Sequence, residues 1–463
     1  MQDFPNDDDH LALSKFESML QSNKVYFFDS EEFEGIVYYY MDSGKINLAK
    51  KAIALSLTQH PTSVSLKLIK VELLIFEDRL KEAEKLLQSL ESIDPTFDEI
   101  YIQRAAIFSK SDNHNEAIIE LNKALKITND LGDVHALLGM EYLFLEQFDT
   151  ARKSFEICLE DDVEDYAALY NIIYCFDMLD SHTDAIEFLN NYIDENPYCE
   201  VAWHQLGRQF TTLEKYNEAI RAYDYAILID EYFIGAYLEK AKVFEIQKKY
   251  EDAILNYIIT LKLDDPTAFT YLQIANCYEK LENNKMAIKY YHNAVVEDPM
   301  LDKAWLLLTN LYLEDGNPQK ALYFIQKALE VDGENYDFLN QFAEINIHLN
   351  LFEEASKAFQ KSIQLGDKRL EVYLAFTDTL HFIGDYDDAL QNLFEAEKIY
   401  TESAEIYYRL GGICNLLRKN DAVILYVEKA LKLDYSYRNI IEELYPEMYK
   451  NDAVIKLLKK FNV

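Results

Sequence analysis

The sequence predicts an all-α protein: an α-α superhelix, built as an open solenoid of about twelve 34-residue helix-turn-helix repeats with capping helices at both ends. Three observations predict it. An alanine recurs every 34 residues, at Ala49, Ala83, Ala117, Ala151, Ala185, Ala219, Ala253, Ala287, Ala321, Ala355 and Ala389, with Val423 ending the series. Apolar residues flank this alanine at helical rather than strand spacing. The 463 residues contain 12 Gly and 8 Pro, too few to punctuate the hairpins of a sheet.

Composition narrows the function classes. With 45 Lys+Arg against 82 Asp+Glu, the formal net charge is −37, which repels phosphate backbones and anionic headgroups. No nucleic-acid partner is expected. Hydrophobic residues at 49% and aromatics at 14% exclude intrinsic disorder. Five scattered cysteines with no C-x-x-C pair match neither a disulfide framework nor a zinc site. No signal peptide or membrane span is visible, so the expected compartment is the cytoplasm. Lysine outnumbers arginine 36 to 9, which predicts an AT-rich, bacterial coding genome.

Three segments follow in order: an acidic tail and capping helix at 1–29, twelve contiguous repeats at 30–437, and capping helices at 438–463. In the first, residues 10–22 read as a helix with Leu13, Phe16 and Leu20 on one face and Asp7–Asp9 at its N-terminus. The apolar run Val25-Tyr26-Phe27-Phe28 is expected to pack on the first repeat. In the repeats, with the recurrent alanine as position 20, position 4 is aromatic in eight, for example Trp203, Tyr237, Tyr271 and Trp305. Position 8 is mostly small or β-branched, with Gly139, Gly207 and Gly411 beside residues such as Ala241. Positions 4, 7, 8 and 11 make one helical stripe, and 17, 20, 24 and 27 a second. Short polar turns such as Leu213-Glu214-Lys215 join them as antiparallel pairs, with small residues at the crossing. Such a pair cannot bury its faces alone and must stack on its neighbours. In the last segment, 438–449 reads as a thirteenth first helix, and Val454, Leu457, Leu458 and Phe461 as the inward face of a shortened second one.

This pattern resembles the tetratricopeptide repeat (TPR) family. The sixth repeat carries it most fully, in Trp203, Leu206, Gly207, Phe210, Ala219, Tyr223 and Ala226. Lys67, Lys70 and Arg104 depart from it at normally apolar positions. Their repeats are expected either to pack loosely or to use the alkyl stems as packing surface. Asn346 departs at position 11. Pentatricopeptide repeats, which read RNA, are disfavoured by the strict 34-residue period and the acidic charge.

No catalytic motif is present, and neither end is long enough for a catalytic domain. The chain is expected to be a non-enzymatic scaffold or adaptor with no cofactor and no metal. A metal site at His348 and His381 is not expected, since they lack a carboxylate or Cys partner.

The family resemblance implies that first helices line the concave groove through positions 2, 5, 6, 9, 12 and 13. Position 9 then runs Arg208, Lys242, Asn276, Asn310, and position 6 runs Asn171, Gln205, Glu239, Gln273, Leu307, Gln341. Amides both donate and accept, so two such rails suit the backbone of an extended peptide. Arg208 and Lys242 suit a partner's carboxylates. Tyr170, Tyr174, His204 and Phe269 would add flat contact area. The rails resemble the asparagine ladders of some TPR peptide readers, with Gln largely in place of Asn. A carboxylate clamp of the chaperone type is absent, since Leu272 and Leu306 stand where its lysines would be. The expected partner is a protein or peptide segment bound by a monomer. The alternative is a self-associating platform or assembly factor acting through its end repeats.

Overall fold

The computed structural model describes residues 7–21, 26–263 and 266–461. It is all-α, with no strand among these residues. They form two compact units, Met1–Ile229 and Asp230–Val463, and each is a stack of antiparallel helix pairs.

The pairs keep the sequence period throughout. The first helix of a pair fills positions 1–13, as in Glu200–Thr212 and Asp302–Glu314, and the second fills 17–30, as in Tyr216–Ile229 and Pro318–Val331. Every position-20 side chain, from Ala49 to Val423, is fully buried at the crossing. The small residue at position 8 faces position 24. A Cβ on Gly139 would lie 2.5 Å from the Phe155 ring, one on Gly207 2.4 Å from Tyr223, and one on Gly411 2.8 Å from Val427. The aromatic at position 4 has a further role. Its polar tip donates to the backbone carbonyl at position 32 of the preceding repeat: Tyr101 to Pro95 at 3.1 Å, Trp203 to Pro197 at 2.9 Å, Trp305 to Pro299 at 3.0 Å and Tyr407 to Thr401 at 2.9 Å. The inter-repeat turn is thereby held by the helix that follows it.

The turn within each pair is uniform in a way the residue types hide. Position 15 has positive φ in all twelve described pairs, at Gly44, Asp78, Asp112, Glu146, Asp180, Glu214, Lys248, Glu282, Gly316, Asn350, Gly384 and Arg418. The N–H of position 16 then donates to the carbonyl of position 11, for example Lys215 to Phe210 at 2.8 Å and Lys249 to Phe244 at 2.8 Å. This is the left-handed cap that closes a helix C-terminus. Most of these residues are not glycine and carry the left-handed strain. Lys248→Gly is therefore expected to stabilise the fold by about 0.5–1 kcal/mol, and Gly384→Ala to destabilise it by a similar amount; chemical denaturation of each variant checks this.

The ends depart from expectation in detail. The first helix spans Asp7–Gln21, starting before His10. Ala12, Leu13 and Phe16 are buried, whereas Leu20 is exposed. The tail up to Asn6, the side chains of Asp7–Asp9, and Val25 lie outside the described residues. Phe28 packs into the first repeat beside Phe16, with ring centroids 6.1 Å apart, but Phe27 is 74% exposed. At the other end the anticipated 438–449 helix is only Asn439–Leu444, flanked by 3₁₀ turns at Tyr435–Arg438 and Pro446–Lys450. Pro446 lacks an N–H and cannot continue a helix. The final helix, Asp452–Phe461, turns Val454, Leu457, Leu458 and Phe461 inward as anticipated.

Arg104 does more than lend its alkyl stem. It is buried and pairs with Glu91 at 2.7 Å, Glu84 at 3.4 Å and Glu120 at 3.5 Å. Lys67 is half-buried and Lys70 exposed. Asn346 is buried and donates to the Phe342 carbonyl at 2.7 Å. The five cysteines are free and buried. Burial pushes the Cys158 and Cys175 thiols up to about 11 and Cys277 up to about 12. Native protein is therefore expected to resist a thiol-exchange reagent at mildly alkaline pH, and to titrate fully once denatured.

Candidate functional site

First helices of successive pairs touch each other directly, Ser30–Asp42 with Val64–Phe76, Val64–Phe76 with Asp98–Lys110, Tyr166–Met178 with Glu200–Thr212, and Asp302–Glu314 with Tyr336–His348. At these places the first helices lie side by side and make a wall. The rails anticipated at positions 6 and 9 lie on it, and their side chains mostly engage one another.

In the first unit, Arg208 is exposed and its Nη1 donates to Gln205 Oε1 at 2.9 Å. Gln205 itself is 1% exposed and His204 is buried, its ring 5.9 Å from that of Tyr223. Neither presents a surface to a ligand, which corrects their anticipated contact roles. His204 and Gln205 precede the small Gly207 by three and two residues, where the first helix lies close enough to its partner for the His204 ring to reach Tyr223. Gln205 acts by holding Arg208. Tyr170 and Tyr174 are exposed, and Tyr174 meets Phe148 edge-on at 6.4 Å. Asn171 is half-buried and lines a hollow with Leu137 and Met140.

In the second unit, Lys242 pairs with Glu239 at 2.6 Å. Asn276 Nδ2 donates to Gln273 Oε1 at 2.8 Å, and its Oδ1 lies 2.8 Å from the Tyr291 hydroxyl. Gln341 is 8% exposed and its Nε2 donates to Oδ1 of the exposed Asn310. This is a position-6 to position-9 bond between consecutive repeats. Arg409 and Asp378 repeat it, with Nε 2.8 Å and Nη2 2.7 Å from the two carboxylate oxygens. Each amide pair leaves one amide nitrogen, on Gln273 and on Asn310, with no intramolecular acceptor among the described residues. A buried layer supports the wall. Position-24 hydroxyls reach position 12: Tyr257 donates to Glu245 at 2.5 Å and Tyr291 lies 2.6 Å from Glu279. Burial first, then the neighbouring glutamate, holds both phenols well above the usual range. Phe269 is exposed.

Two features of the wall were not anticipated from the residues. Tyr445 of the C-terminal segment covers repeats eleven and twelve: a Cβ on Gly412 would lie 2.4 Å from its ring, and the His381 ring is 4.9 Å away. His381 is thus packed against an aromatic rather than offered to the groove, and burial lowers its pKa. The second feature is acidic. Burial, and less strongly the charge of Glu99, hold the Glu72 carboxyl above the usual range against the lowering effect of the Tyr38 hydroxyl. A carboxyl raised in the folded state destabilises the fold once pH exceeds its folded value, and has no effect below its unfolded value. Glu72→Gln is therefore expected to raise the melting temperature at neutral pH but not in acid.

Among the described residues, no helix is long and apolar enough to cross a membrane. Family models of the tetratricopeptide repeat match residues 98–131, 137–198 and 270–298, in phase with the helix pairs. These segments are tetratricopeptide repeats. TPR arrays act broadly as protein–protein interaction scaffolds. The chain is 25% identical over 140 residues to PilF, a type IV pilus assembly protein of Pseudomonas aeruginosa, covering 30% of this chain and 56% of PilF. It thus spans little more than half the length of that relative. Among solved structures, YrrB, a TPR protein with an unusual peptide-binding site, is 18% identical, with 38% of this chain and 92% of that one covered and a TM-score of 0.33. The C-terminal part of a TPR protein from Cytophaga hutchinsonii is 13% identical, with 52% and 98% covered and a TM-score of 0.45.

Proposed function

We propose that this TPR chain is a non-catalytic adaptor that binds an extended segment of another protein along the wall of first helices. The observation that carries the reading is the pair of oriented amides in the second unit. Gln273 and Asn310 each have a neighbour fixing the amide plane and a nitrogen left to donate. A donor held in place before binding loses little freedom on complex formation, and backbone carbonyls of an extended segment are suitable acceptors. Lys242 adds a cation in that unit and Arg208 one in the other, each held by a position-6 side chain one turn away. Gln205, His204 and Gln341 position the wall rather than touch the partner.

The test is capture from lysate with mass-spectrometric readout, comparing the intact chain with Arg208→Glu, Lys242→Glu, Asn276→Ala and Asn310→Ala combined. Circular dichroism verifies the fold. A defined set of proteins is expected to disappear with the variant; an unchanged set would reject the stretch carrying these four residues as the docking face. A second reading, an assembly platform, draws on the likeness to a pilus assembly protein. It requires a solution mass above that of one chain that the same substitutions leave intact.

A further inference from the structure

The wall of repeats three to five differs in chemistry from the amide-lined stretch. A hollow of about 380 Å³ opens between the first helices of these repeats. Its lining is partly apolar, with Leu137 and Met140 each 40% exposed to solvent. Its rim is acidic, with Glu99, Asp133 and Asp165, and no Lys or Arg lines it. Tyr170 and Tyr174 extend the exposed apolar surface along the next helix. The depth comes from small residues: Ala136 and Ala167 stand among the lining where larger side chains would fill the space. Across the wall positions of repeats one to five, carboxylates including Glu72, Glu99, Asp133 and Asp177 far outnumber the single lysine, Lys110. The ammonium of Lys110 is turned onto the carbonyls of Ile75 and Phe76.

We propose that this hollow docks a partner-protein segment carrying apolar side chains at helical spacing with Lys or Arg beside them. Apolar surface left open inside an acidic rim favours burial of apolar groups. Uncompensated carboxylates select the sign of the charge that accompanies them and repel an acidic alternative. The site lies on repeats other than those carrying the oriented amides, so it stands independently of them.

The probe is a fluorescein-labelled Leu/Lys peptide with Leu at i, i+3, i+4 and i+7, titrated against the full chain by anisotropy. A Ser/Lys peptide of equal charge and a Leu/Glu peptide of equal apolarity are its controls. The Leu/Lys peptide is expected to bind at least about tenfold more tightly than either control. Leu137→Lys/Met140→Lys should weaken it by a similar factor, and so should Ala136→Trp, which fills the hollow without altering charge. Asn276→Ala/Asn310→Ala should leave it unchanged, which separates this site from the amide-lined wall. Equal binding of the Ser/Lys peptide would reduce the effect to charge alone, and equal binding of the Leu/Glu peptide to apolarity alone; either overturns the proposal. Undiminished binding by both hollow variants also overturns it, as does a self-associated mass that Leu137→Lys/Met140→Lys abolishes, which would make a second copy the occupant.

Discussion

Gly207→Leu is expected to destabilise the first unit by about 3 kcal/mol, the upper range for overpacking a tight core. A Cβ at 207 would already lie 2.4 Å from the Tyr223 ring. Tyr223 is fully buried and its hydroxyl is 3.1 Å from that of Thr211, so the ring cannot swing out without losing both contacts. Gly207→Ala should behave quite differently. Ala241 faces Tyr257, and Ala275 faces Tyr291, at the same positions of the next two repeats, all four side chains fully buried. A helix pair can therefore separate by the few tenths of an ångström that a methyl needs, and alanine is the better helix former by about 1 kcal/mol. Fluorescence-monitored denaturation with Trp305 replaced by Phe, leaving Trp203 to report on the first unit, distinguishes the two. A leucine variant as stable as the parent would mean that position 8 does not set the crossing.

Arg104→Met is expected to cost about 2–3 kcal/mol at neutral pH. Arg104 and Glu120 are each 7% exposed, and removing one partner of a buried pair strands the other charge. Lys123, 2.7 Å from Glu120 on the solvent side, limits the loss. Glu84 and Glu91 are themselves partly exposed and contribute less. Combining Arg104→Met with Glu120→Leu should recover most of the stability, because an apolar pair of similar volume carries no desolvation cost. Thermal denaturation of the single and double variants checks both statements. A double variant no better than the single one would show that Arg104 stabilises through its outer partners alone.

The repeat architecture was legible because each pair solves the same packing problem with the same residue types. Ala at position 20 and a small residue at position 8 leave a period that no tertiary context overrides. The turns were legible as turns, but the left-handed position 15 was not, since Glu214, Lys248 and Arg418 give no residue-level sign of a conformation that glycine supplies more readily. The wall was legible only in part. Positions 6 and 9 do meet across repeats, at Asn310–Gln341 and Asp378–Arg409. Whether an amide faces solvent or its neighbour depends on small shifts between stacked helices, and the pattern of residue types does not encode them. Gln205 and His204 were placed on the surface by register alone, and packing drew them inward. The C-terminal segment misled for a simpler reason: its apolar spacing continues through Pro446, whereas its helix does not.

Hydrogen–deuterium exchange on the chain alone, and again with a partner captured from lysate, decides most directly whether the first helices are the docking face. In the second unit, new protection is expected in Ile234–Ile246, Ala268–Lys280 and Asp302–Glu314, with Tyr250–Leu263, Asn284–Glu297 and Pro318–Val331 unchanged. Protection confined to those second helices would place the partner on the opposite face and contradict the proposed role of the amide-lined wall.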